Sequence, residues 1–129
     1  MRDIVGTWRL VITRARNDAG EPMHPPYGPQ PMGTVVFSAD HRMIAVVCDG
    51  RPALPADEPE REYTSYCGTY RFDGTTLVTR VDAASDTSRI GGDQVRKVRF
   101  EGDRMVLTPP PRPWRGVMQH RELFWERID

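Results

Sequence analysis

Ile4-Val5-Gly6-Thr7-Trp8-Arg9-Leu10-Val11-Ile12-Thr13-Arg14 carries Trp8, Leu10 and Ile12 at every second position, with Thr7, Arg9 and Thr13 on the other face. A side-chain period of two belongs to a strand buried on one side, because successive β-carbons point to opposite faces of the sheet. The stretch therefore reads as a half-buried β-strand with Trp8, Leu10 and Ile12 inward.

The same period governs the rest of the chain. Asn17-Asp18-Ala19-Gly20 supplies turn chemistry, and a proline-rich loop runs from Glu21 to Pro31. Gly33–Phe37 and Met43–Cys48 are strand-like, and the five residues between them are short enough for a hairpin. From Arg51 to Arg61 the pattern breaks around Pro52, Pro55 and Pro59, giving a loop with at most a short helical turn expected near residues 55–63. Tyr66–Phe72 and Thr76–Asp82 flank the turn pair Asp73-Gly74, and Gln94–Glu101 and Arg104–Thr108 flank Gly102-Asp103. Pro109-Pro110-Pro111 stops that hairpin, and Val117–Arg127 reads as the last strand.

Consecutive strands joined by hairpin-length turns favour an antiparallel meander, since parallel strands need long crossovers. The expected fold is all-β: an eight-stranded antiparallel up-and-down β-barrel forming one domain over residues 1–129. Eight strands can close around an interior that holds one small ligand.

Composition narrows the function classes. Lys+Arg and Asp+Glu stand at 18 each, without the basic excess that phosphate contacts demand, so no nucleic-acid partner is expected. Nearly all the positive charge is arginine, with Lys97 the single lysine. Codon bias accounts for that, or a few arginines serve as forked donors to a carboxylate or phosphate. No apolar run reaches membrane-spanning length and no leader pattern opens the chain, so a cytoplasmic protein with no membrane partner is expected, as monomer or homodimer. Cys48 and Cys67 lie in strand-like runs and read as small buried hydrophobes. His24, His41 and His120 lack metal-ligand spacing, and no phosphate loop or nucleophile elbow occurs, so neither metal nor cofactor is expected.

Gly6-Thr7-Trp8 resembles the Gly-x-Trp signature of lipocalins, and Leu123-Phe124-Trp125-Glu126-Arg127 resembles the Trp-x-Arg ending of small bacterial lipocalin-like domains. Tyr27-Gly28-Pro29, Gly33, Tyr66-x-Gly68-Thr69-Tyr70, Gly91 and Gln94-x-Arg96 follow in the order those domains show. The resemblance spans nearly the whole chain and implies a lipocalin-like barrel, in a family whose relatives range from carriers to cyclases and isomerases. Such domains often carry a His-His pair after the Asp-Gly turn; here the place reads Val78-Thr79-Arg80-Val81, so no role of those histidines carries over.

Period two also assigns faces. Trp8, Trp125 and Arg127 are expected together at a closed end, tying first and last strands. The mouth is expected to carry Arg96, Gln94, Tyr66, Tyr70 and Arg121, with Tyr27 nearby, as ligand-binding residues. A buried guanidinium needs a partner. That partner is either internal, such as Asp82, Glu62 or a loop carbonyl, or a ligand carboxylate or enolate. The strand from Thr76 to Asp82 leaves two faces open: Leu77, Thr79 and Val81, or Val78, Arg80 and Asp82.

The leading function is binding of a small, partly apolar, anionic molecule in the cavity. The alternative is a cofactor-independent isomerase, cyclase or lyase acting on an enolisable carbonyl compound, with Tyr66, Asp82 or His24 as proton-transfer candidates and Asp86 near the rim. A protein-interaction module with a filled barrel is the third.

Overall fold

The computed structural model describes residues 2–129. Nine strands follow in sequence: β1 (Gly6–Arg16), β2 (Pro31–Phe37), β3 (Arg42–Asp49), β4 (Tyr63–Phe72), β5 (Thr76–Ala84), β6 (Asp93–Glu101), β7 (Arg104–Thr108), β8 (Arg112–Trp114) and β9 (Val117–Arg127). Every pairing is antiparallel, and the order β1-β2-β3-β4-β5-β6-β7-β9 closes because β1 also pairs with β9. The result is a closed eight-stranded antiparallel barrel, as the alternation along the chain requires. β8 lies outside the ring and forms a hairpin with the start of β9.

The interior rows are those of period two. Trp8, Leu10, Val35, Phe37, Met43, Ala45, Tyr70, Leu77, Val98 and Met105 pack into one core. β5 turns Leu77, Thr79 and Val81 inward, each about 1% exposed, which resolves the face left open by its sequence.

Three expectations are corrected. Ile12 does not follow Trp8 and Leu10 inward. The β1–β9 register slips between Leu10 and Ile12, so Thr13 and Ala15 take the inner row and Ile12 faces out beside Phe124. A β-bulge reverses the face of everything beyond it, and two adjacent apolar residues, Val11 and Ile12, hide the slip from a pattern reading. The segment near 55–63 holds a turn closed by Glu58 N donating to Pro55 O; the 3-10 turn lies at Thr87–Arg89, capped by the Asp86 carboxylate. β8 is the third difference. Arg115 and Gly116 both take positive φ, 51° and 80°, which is the two-residue turn that matches strand twist.

The closed end is built from the two terminal signatures. The Trp8 indole donates to Ile4 O at 2.9 Å, and the Arg127 guanidinium lies 4.3 Å over the Trp8 ring. Arg127 also donates to Val5 O and Asp3 O, tying the chain end to the chain start. Gly6 is required here: with φ 137°, a β-carbon would come within 2.5 Å of the Arg127 Nη1.

Candidate functional site

The opposite end of the barrel opens into a narrow cavity of about 50 Å³. That is room for about three or four waters, given the space one water centre occupies. Its lower wall is apolar, from Val35, Ala45, Leu107 and Leu123, with Trp125 at the base. Its upper wall is polar: Tyr27, Thr64, Tyr66, Arg89, Arg96 and Arg121.

Each polar side chain reaches the cavity for a local reason. Gln94, Arg96, Val98 and Phe100 alternate along β6, so Arg96 shares the inner row with the buried Val98. Gln119, Arg121, Leu123 and Trp125 do the same on β9. Lys97 pairs with Thr108, and Leu107 with Leu123. Continuing those registers brings Arg96 and Arg121 to one height, on either side of Pro109. Tyr27 is held over the mouth by an unusual backbone, with φ 62°. Its N–H donates to Glu62 Oε1 at 3.1 Å and its hydroxyl to Thr64 Oγ1 at 3.0 Å. A left-handed tyrosine is held against its own preference, so these bonds fix the ring above the opening.

The cavity is rich in donors and poor in acceptors. Arg96 donates to Gln94 Oε1 at 2.8 Å and to the Val95 carbonyl at 2.9 Å, and Arg121 to Pro110 O at 3.4 Å. Among the described residues no carboxylate pairs with either guanidinium. Gln94 Nε2, Arg121 Nε and Trp125 Nε1 are buried donors with no hydrogen-bond partner. Burial pulls the Arg96 guanidinium below the usual arginine range. Arg121 is brought down to about 10, first by burial and then by repulsion from Arg112 and Arg96. Both arginines thus stand in an environment that disfavours their charge and lacks the anion that would restore it.

Other candidates stand elsewhere. Tyr70 faces inward but at the closed end, donating to Ser38 O at 2.8 Å and edge-on to Phe37. Asp82 points outward and pairs with Arg42 at 2.5 Å; that partner holds its carboxyl below the usual range. Asp86 is exposed, bonded to Ser88. His24 does not fold over the mouth. It stacks on Trp114 at 5.5 Å, with Glu58 3.7 Å away, in a separate groove. Trp125 sits higher than the Trp8–Arg127 pair, lining the cavity instead of the floor. Arg89 and Thr64 also line it, and the sequence analysis did not single them out. Thr64 was legible, since it shares the inner row of Tyr66; Arg89 comes from a loop and carries no periodic signal.

A barrel closed by β1 and β9, with a Trp–Arg floor at one end and a lined cavity at the other, has the architecture of a lipocalin-like domain. The chain belongs to the lipocalin-like domain family, whose family model matches residues 5–128. No curated protein and no solved structure matches it. The family architecture fits binding of a small molecule in the barrel, and no helix is long and apolar enough to cross a membrane.

Proposed function

We propose that the protein binds a small, partly apolar, anionic organic molecule at the mouth of the barrel, with Arg96 as its anchor. The observation that carries this is the pairing state of the cavity: an inward guanidinium without a carboxylate, beside three buried donors that have no acceptor. An unpartnered buried donor costs about 1–3 kcal/mol, and more when charged. A ligand that brings acceptors relieves that cost on binding and gains charge-assisted hydrogen bonds. The apolar wall below the arginines suits the ligand's carbon skeleton.

Binding without turnover is the favoured reading over the isomerase, cyclase or lyase alternative. Of the proton-transfer candidates only the Tyr66 phenol lines the cavity, with no carboxylate or imidazole in the lining beside it; Asp82, Asp86 and His24 each have partners outside it, and Glu62 is engaged by the Tyr27 N–H. A proton-transfer site needs a base within hydrogen-bond reach of the substrate.

The test is a thermal-shift screen of short aliphatic and aromatic carboxylates on wild type and Arg96→Ala. An acid should stabilise the wild type and leave Arg96→Ala unmoved, while circular dichroism shows the same barrel in both. Equal stabilisation of the two proteins would remove Arg96 from the site.

A further inference from the structure

The mouth presents more positive charge than one carboxylate neutralises. Arg96 on β6 and Arg121 on β9 flank Pro109 at the same height and line the same cavity. Two strand spacings separate their backbones, roughly 10 Å. Each guanidinium therefore reaches in from its own side. They are near enough to repel each other, with Arg112 adding to the repulsion on both. Arg89 closes a further side of the mouth; its own carboxylate, Asp86, is 3.7 Å away and more than half exposed.

A singly charged ligand on Arg96 would leave Arg121 buried against a positive neighbour, with its Nε still lacking an acceptor. A ligand with two negative groups satisfies both arginines and cancels their repulsion. Resting on the anionic-ligand reading above, we propose that the cavity selects a short dicarboxylate, one carboxylate on Arg96 and the other on Arg121, its carbon chain directed toward Trp125. The free space bounds the length. Room for about three or four waters admits a chain of a few carbons and no long acyl tail. The indole Nε1 at the base, also without an acceptor, offers a third donor to a carbonyl or hydroxyl on that chain. A single tetrahedral dianion such as phosphate has the charge but no carbon to meet Val35, Leu107 and Leu123.

The experiment is isothermal titration at constant ionic strength with three matched pairs: malonate and propionate, succinate and butyrate, glutarate and valerate. Inorganic phosphate is run alongside, against wild type, Arg121→Gln and Arg96→Gln. At least one diacid is expected to bind ten-fold or more tightly than its monoacid. In Arg121→Gln the advantage of that diacid over its monoacid should vanish. Monoacids that equal their diacids in all three pairs would overturn the two-charge proposal and leave the anionic cavity standing, as would phosphate binding more tightly than every diacid. Binding of none of the seven compounds would remove both readings. Circular dichroism and melting of the two variants separate a lost site from a lost fold.

Discussion

Arg121 sits in the barrel wall with a backbone carbonyl as its one partner and another arginine as neighbour. Replacing a poorly compensated buried charge with an apolar side chain of similar length is often stabilising. Arg121→Met should therefore stabilise the unliganded protein by about 1 kcal/mol, after allowing for its partial exposure, and so raise its melting temperature. It should also reduce the stabilisation given by an added diacid to that given by its monoacid. A lower melting temperature without ligand would mean that the guanidinium has a structural role. At this scale the sequence was readable in rows and unreadable in heights. Alternation put Tyr70 with Tyr66, and Trp125 with Arg127, on the correct faces. Strand stagger then sent Tyr70 to the floor and raised Trp125 to the cavity. Stagger is fixed by pairing between distant strands, which no local window contains.

The strands owe their geometry to a few close approaches and to the loops clamped across their ends. Gly68 is one: a β-carbon there would run into the Arg80 carbonyl, where β4 slips register against β5. Gly68→Ala should cost about 3 kcal/mol in denaturant unfolding, the range of backbone strain and overpacking. A loss below about 1 kcal/mol would show that β5 moves aside. At the rim, the buried Asp49 accepts three bonds from the Arg51 side chain, two of them shared by its Nε–H, and Arg51 also holds Glu58. This pair pins the loop after β3, and the loop from Glu21 to Pro29 packs Gly28 against it. The Arg51 side chain holds the Asp49 carboxyl below its ordinary 3.8. Folding thus favours the ionised form. The contribution is complete above the ordinary value and fades as pH falls through the lowered one. Asp49→Asn should melt several degrees below wild type at neutral pH, with the gap narrowing as pH falls below the ordinary carboxyl value of 3.8. A gap that is constant with pH would exclude the ion pair as its source. β8 escaped the sequence reading because three residues are too few to show a period, although Trp114-Arg115-Gly116-Val117 contains the turn that makes it.

For the molecule as a whole, order of strands and closure followed from alternation and turn spacing, because each hairpin is local and only the β1–β9 seam is not. The seam itself was marked at both ends, by Gly6-x-Trp8 and Trp125-x-Arg127, and the stacked guanidinium gives those marks their physical meaning. Closure has a further effect through the hairpin left outside the ring. Every barrel strand has a hydrogen-bonded neighbour on each side, whereas β8 has a neighbour on one side only and turns its other edge to solvent. It is three residues long with Pro113 at its centre. Pro113 faces Met118, one step beyond the Trp114–Val117 pair that closes the turn, so its nitrogen lies on the open side and has no hydrogen to offer. Brevity and Pro113 together deny a foreign strand a ready template along the β8 edge, where edge-pairing fibril growth would otherwise find a free ladder. Pro113→Val should keep the folded protein's melting temperature yet raise thioflavin signal and light scattering on prolonged incubation; unchanged scattering would show that brevity alone protects this edge.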